Sequence, residues 1–285
     1  MAENLNKQLS KLSKRGPHRV LVGDLDYAGI PGKVYAPAEG QGLPAVAFGH
    51  DWMKDISSYE GTLRHLASWG IVAAAPNTEK GIAPDHRGFA ADLETTLQIL
   101  AGVRLGTGNV TVAPRRLGLV GHGMGASAAI LAAVGRPSLT AVAALYPSQT
   151  VPSPVVAASQ LTMPGLVIGS NESPFLDFGN APKIAQSWGG SCTYFEVDNA
   201  NHLTLSEDTM FKLLTGLGGL RAAPRETVRG VLTGYLLHQF EGGRHYAGFS
   251  SPHAEAKKLR SYTPQELEQR ANGANLAAGP MPFVS

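Results

Sequence analysis

Arg116-Leu-Gly-Leu-Val-Gly-His-Gly-Met-Gly-Ala-Ser-Ala-Ala-Ile-Leu-Ala-Ala133 is the stretch whose reading decides the fold. Leu117 to Val120 is a short apolar run with the character of a buried strand. Gly121 to Gly125 is a sharp glycine turn, and Ala126 to Ala133 supplies small helix formers that pack closely on a sheet. Serine at position 123 would make this turn Gly-x-Ser-x-Gly, the strand-to-helix elbow that lifts a nucleophile above a sheet. The outer glycines permit close backbone approach, and the Met124 N–H faces the place where an oxyanion would form. Position 123 itself carries no side chain. A phosphate-cradling loop is the competing reading, but the run lacks the Lys-Ser/Thr of such a loop and sits mid-chain.

The 285 residues suffice for one substantial core. A net charge of +2, with Lys and Arg scattered, argues against a nucleic-acid surface. The single cysteine, Cys192, lies in an apolar-aromatic run and excludes an intrachain disulfide. The opening residues have no apolar stretch of the kind a secretory signal needs, and no run spans a bilayer, so the expected location is cytoplasmic. Leu5, Leu9 and Leu12 have the spacing of a weak amphipathic helix, set against a flexible arm over residues 1–17.

Further along, residues 18–27 and 33–37 alternate around a glycine turn and predict an antiparallel pair. Pro44 to Phe48 and Ile71 to Ala75 are continuous apolar runs, as in strands covered on both faces. Between them a helix is expected from about Ser58 to Trp69, closed by Gly70. Asp85 to Leu105 is long and amphipathic. Thr140 to Tyr146, Leu166 to Ser170 and Thr193 to Val197 complete the strands, with a helix over Phe178 to Gly189. This alternation predicts an α/β fold, a mostly parallel sheet with helices on both faces. Its ligands would lie beyond the carboxyl ends of the strands. Ser206 to Leu217 and Glu226 to Phe240 read as two helices. Thr263 with Glu266 forms a capping box that starts another.

With these landmarks placed, the sequence resembles the bacterial polyester hydrolase and cutinase-like branch of the α/β-hydrolases, relatives of dienelactone hydrolases and chlorophyllases. Asp51 to Tyr59 and Leu66 to Ile71 resemble that family's oxyanion loop and first helix. Gly121-His-Gly-Met-Gly125 is similar to its elbow, and Tyr194 to His202 to its last strand and catalytic histidine. Val231 to Phe240, with Arg244-His245-Tyr246, resembles its closing helix. The resemblance runs from about residue 18 to 252 and implies a single domain there, with 205–224 as a lid-like insertion and 253–285 as an extension. It assigns the nucleophile position to Gly123, the general base to His202 and oxyanion N–H groups to Trp52 and Met124. His50, Asp51, His122 and Tyr146 fall around the same cleft. The acid position falls on Ser173, with Glu172 beside it and Asp177 further on. No cofactor and no metal ligand set is implied.

Glycine offers no attacking atom, so an acyl-enzyme route is closed to the chain as written. Three readings follow. The chain is a pseudoenzyme that binds an ester, a lipid or a protein partner in the old cleft. Or it is an esterase whose serine-containing form is active. Or His202 acts as a base in lyase, hydratase or cofactor-free oxygenase chemistry.

Overall fold

The computed structural model describes residues 4–170, 179–207, 222–254 and 256–277. Its centre is a nine-stranded sheet in the order β1-β2-β4-β3-β5-β6-β7-β8-β9. β1 (Val20–Asp24) and β2 (Gly32–Pro37) form the expected antiparallel pair at one edge. β3 (Gly40–Gly49), β4 (Val72–Pro76), β5 (Val110–His122), β6 (Ala141–Leu145), β7 (Gly165–Gly169) and β8 (Cys192–Val197) run parallel to one another. Their apolar runs are continuous because helices cover both faces, so side chains of either parity enter a core. One core contains Phe89, Leu93, Leu119 and Val167, and the other Phe48, Leu66, Val120 and Phe195.

The helices on the two faces are α2 (Glu60–Ser68), α3 (His86–Gly102), α4 (Met124–Ala133), α5 (Pro154–Ala158), α6 (Ala181–Gln186) and α7 (Ala222–Glu241). Asp85 caps α3 by accepting from the Arg87 N–H at 3.0 Å. The expected helix over 206–217 lies for the most part outside the described residues, as does most of the lid-like insertion.

Three segments differ from the sequence reading. β3 begins at Gly40, ahead of the apolar run read from Pro44, because Gly40 and Leu43 pair with Val110 and Val112. The amino-terminal arm, expected to be flexible, forms α1 (Leu5–Leu12), with Leu9 and Leu12 buried against α7. A short helix is marginal alone, and burial of its apolar side supplies what propensity does not. Beyond residue 252, β9 (Leu259–Ser261) pairs antiparallel with β8, and α8 (Pro264–Ala277) follows. Its capping box is formed: the Thr263 N–H donates to Glu266 Oε2 at 2.8 Å, and the Glu266 N–H to Thr263 Oγ1 at 3.3 Å.

Among the described residues, no helix is long and apolar enough to cross a membrane.

Candidate active site

β5 ends in the glycine turn because only glycines fit it. A Cβ on Gly121 would lie 2.1 Å from the Gly125 carbonyl oxygen, and one on Gly125 would lie 2.2 Å from Gly49. The turn thus presses against the end of β3 and brings the loop after β3 over the elbow. Gly123 stands at its apex with φ 56° and ψ −120°, a conformation costly for a residue with a side chain. Its N–H donates to the Leu145 carbonyl at 3.0 Å, which fixes the apex to β6.

Asp51 lies directly over that apex. The Met124 N–H donates to Asp51 Oδ1 at 2.9 Å, so the donor expected to face an oxyanion already holds a carboxylate oxygen. Asp51 Oδ2 lies 2.7 Å from His202 Nε2, on the loop after β8. A Cβ built on Gly123 would be 1.9 Å from Asp51 Oδ1 and 2.2 Å from its Cγ. The Asp51 carboxylate therefore occupies the space in which a side chain at position 123 would begin.

Both groups are covered, with side-chain exposures of 11 % for Asp51 and 8 % for His202. Burial works to raise the Asp51 carboxyl, but the hydrogen bond to His202 and the Met124 N–H hold it below the ordinary range. Asp51 is thus an anion with a donor on each oxygen.

A directed chain of hydrogen bonds holds the two loops. The Asp51 N–H donates to Tyr59 Oη at 3.2 Å, and Tyr59 Oη lies 2.9 Å from His122 Nδ1. His122 Nε2 lies 2.8 Å from the His202 carbonyl oxygen. A carbonyl only accepts, so Nε2 carries the proton, and Nδ1 of the neutral ring accepts from the tyrosine hydroxyl. Burial, with His202 next to it, pushes His122 down to about 3, which keeps the ring neutral at physiological pH. His122 is thus a strut between the Asp51 and His202 loops.

Of the other expected residues, His50 is buried, with Nδ1 2.8 Å from the Asp51 carbonyl and Nε2 2.7 Å from that of Thr78. It shapes the loop that carries Asp51. Tyr146 is buried at φ 48° and meets His122 edge-on, with ring centroids 6.0 Å apart. Trp52 is half exposed and its Nε1–H donates to the Ile82 carbonyl at 3.0 Å. Met53 beside it and its partner Ile82 are exposed too. Glu172, Ser173 and Asp177 lie outside the described residues.

The sequence reading placed Asp51 beside the cleft but missed its position over Gly123. The available signal was an acidic residue at the end of a buried strand, paired with a side-chain-less nucleophile position. Among the described residues, no group of His, Cys, Asp and Glu could hold a metal ion. A cavity of about 540 Å³, lined by Arg87, Glu94, Leu131, Arg136 and Val156 among others, does not reach Asp51 or His202.

The sheet order, the elbow and the histidine after β8 coincide with a family match. The family model described as PETase, PET hydrolase-like, matches residues 10–212. The chain belongs to the PET hydrolase-like family. The match spans the elbow, Asp51 and His202, so the site just described lies within the family's own region. No curated protein matches the chain.

Proposed function

We propose that the chain is a pseudo-esterase: a PET hydrolase-like protein that binds an ester, lipid or acyl ligand, or a protein partner, in the former cleft without serine-based acyl transfer. The observation that carries this reading is the 1.9 Å between a Cβ on Gly123 and Asp51 Oδ1. Where a nucleophilic side chain would start, Asp51 already sits, and the Met124 N–H that would stabilise an oxyanion is engaged by the same carboxylate. Glycine at 123 and aspartate at 51 are therefore two halves of one change. An esterase that lacks only a serine hydroxyl fits this distance poorly, because restoring serine would also require Asp51 to leave.

Hydrolysis of a short-chain p-nitrophenyl ester tests the reading. The protein and Gly123→Ser should both be inactive, and an Asp51→Gly/Gly123→Ser double variant should gain turnover. Esterase activity in the protein as it stands would contradict it. Binding is read from Trp52, which follows Asp51 in the chain and is half exposed: a non-hydrolysable ether analogue of a fatty ester should change its fluorescence.

One observation favours a second reading, chemistry through His202 without serine. The 2.7 Å contact pairs His202 with a buried carboxylate in the middle of the site rather than leaving it to face an empty elbow.

A further inference from the structure

A covalent carboxylate nucleophile needs an oxygen that stays anionic, a donor on its other oxygen and a base beside it to activate water. Asp51 combines these. Oδ1 accepts from the Met124 N–H at 2.9 Å, Oδ2 lies 2.7 Å from His202 Nε2, and the side chain keeps 11 % exposure. The loop that carries it is fixed by the His50 and Tyr59 contacts. We propose that Asp51 is the nucleophile of a displacement at saturated carbon, acting on alkyl compounds whose leaving group departs as an anion, a halide being the simplest. This rests on the second reading above, in which the Asp51–His202 pair carries the chemistry.

Leaving-group chemistry selects the substrate class. If Oδ2 attacked an ester carbonyl, the adduct would hold a carboxylate and an alkoxide on one carbon. The carboxylate is the weaker base and leaves first, so the reaction returns to its start. At a saturated carbon no such adduct forms. The Oδ2–C bond forms as the C–X bond breaks, X departs with the electron pair as X⁻, and Asp51 becomes an alkyl ester.

Once Oδ2 is esterified it no longer carries the charge to which the Nε2–H donated, so the ring proton shifts to Nδ1 and Nε2 becomes an acceptor. In the second step a water gives a proton to Nε2 while its oxygen attacks Asp51 Cγ. Negative charge collects on Oδ1, where the Met124 N–H already points. As the Cγ–OR bond breaks, the alkoxide takes the proton from His202, the carboxyl proton passes to Nε2, and the Nδ1 proton leaves to solvent. Alkyl halide and water thus become alcohol, halide and one proton. Trp52, which follows Asp51 in the chain, and its partner Ile82 offer exposed apolar side chains to an alkyl group.

The test uses the full chain with 1-bromobutane, followed by bromide release and intact mass. The protein should release bromide over many turnovers. His202→Gln should instead gain one butyl group, mapped to Asp51, and Asp51→Asn should do neither. Because a variant can fail to fold, a single turnover of the unaltered protein in heavy-oxygen water supplies an independent readout. The heavy oxygen should enter Asp51, and the first butanol should carry light oxygen. No bromide release, or a butyl group on another residue, overturns the proposal. Heavy oxygen in the first butanol would also overturn it, while leaving the second reading intact with the pair acting on water directly. Bromide release by Asp51→Asn at the unaltered rate overturns both.

Discussion

Asp51 Oδ2 and His202 Nε2 lie 2.7 Å apart across 151 positions of sequence, joining the loop after β3 to the loop after β8. β5, β6 and β7 stand between those strands in the sheet. The contact therefore bridges the carboxyl ends of the parallel strands, and it makes folding sensitive to the charge of one carboxylate.

That sensitivity has a sign. The Asp51 carboxyl is held below its ordinary value of 3.8 in the folded chain, against the opposing effect of burial. The unfolded chain therefore binds the proton more readily, and Asp51 contributes stability that is fully present above about pH 4 and lost as pH falls. Urea unfolding of the protein and Asp51→Asn at a series of acidic pH values should show this loss in the first and not in the second. Parallel pH profiles would remove Asp51 from this role.

Two buried histidines act at higher pH. Burial comes first in both cases: His122 is pushed down to about 3, with His202 adding to the effect, and His65 to about 4, with Arg229 adding. Each folded value lies below the ordinary 6.5, so stability should decline as pH falls below 6.5, toward about 4 for His65 and about 3 for His122. The slope is at most about 1.4 kcal/mol per pH unit for each ring. His65→Asn, which can still bond the Leu12 backbone, should flatten the profile measured by urea unfolding between about pH 6 and pH 4.

The Tyr59 hydroxyl joins the Asp51 N–H to His122 Nδ1 and is fully buried. Tyr59→Phe keeps the ring and leaves both partners without the oxygen. The expected cost is about 1–3 kcal/mol, seen in a thermal melt as a drop of roughly 3–10 °C.

Glu196 is 1 % exposed and accepts from the Tyr194 hydroxyl at 2.8 Å, the Tyr262 hydroxyl at 2.6 Å and the Arg270 guanidinium. Two of these partners come from beyond residue 252, so the carboxyl-terminal segment is tied to β8 by one buried charge. Glu196→Ala should cost about 3–5 kcal/mol because it takes the buried acceptor away from the Arg270 guanidinium and from two hydroxyls. Combined with Arg270→Ala, the losses should fall short of additive in urea unfolding.

The fold was legible where the chain repeats simple patterns. Pro44 to Phe48 and Ile71 to Ala75 announced buried strands through unbroken apolar runs, and Gly121 to Gly125 announced the elbow through a turn only glycines can make. Thr263 and Glu266 announced a helix start. β9 was not legible, since Leu259–Ser261 is three residues long and is held by its register against β8. α1 was half legible: the spacing of Leu5, Leu9 and Leu12 was visible, but the surface of α7 that buries Leu9 and Leu12 was not.

At the site, His202 and Gly123 could be placed from the order of landmarks along the chain. The Asp51–Gly123 contact could not, because it depends on Gly49 and Gly125 pressing two strand ends together in space. Local patterns do not report such contacts.

Asp51 fills the space above Gly123, and the rest of the site follows from that. The most direct test is the thermal stability of Gly123→Ser in two backgrounds, Asp51 and Asp51→Gly. Serine beside Asp51 has to push aside a short carboxylate held by Met124 and His202, and the expected cost is about 3 kcal/mol, or roughly 6–12 °C in the midpoint. With glycine at 51 the part of that cost that comes from the clash should disappear, leaving only the backbone strain of a side chain at φ 56°. Equal losses in the two backgrounds would contradict the account, because they would mean that the space above Gly123 is not occupied by Asp51.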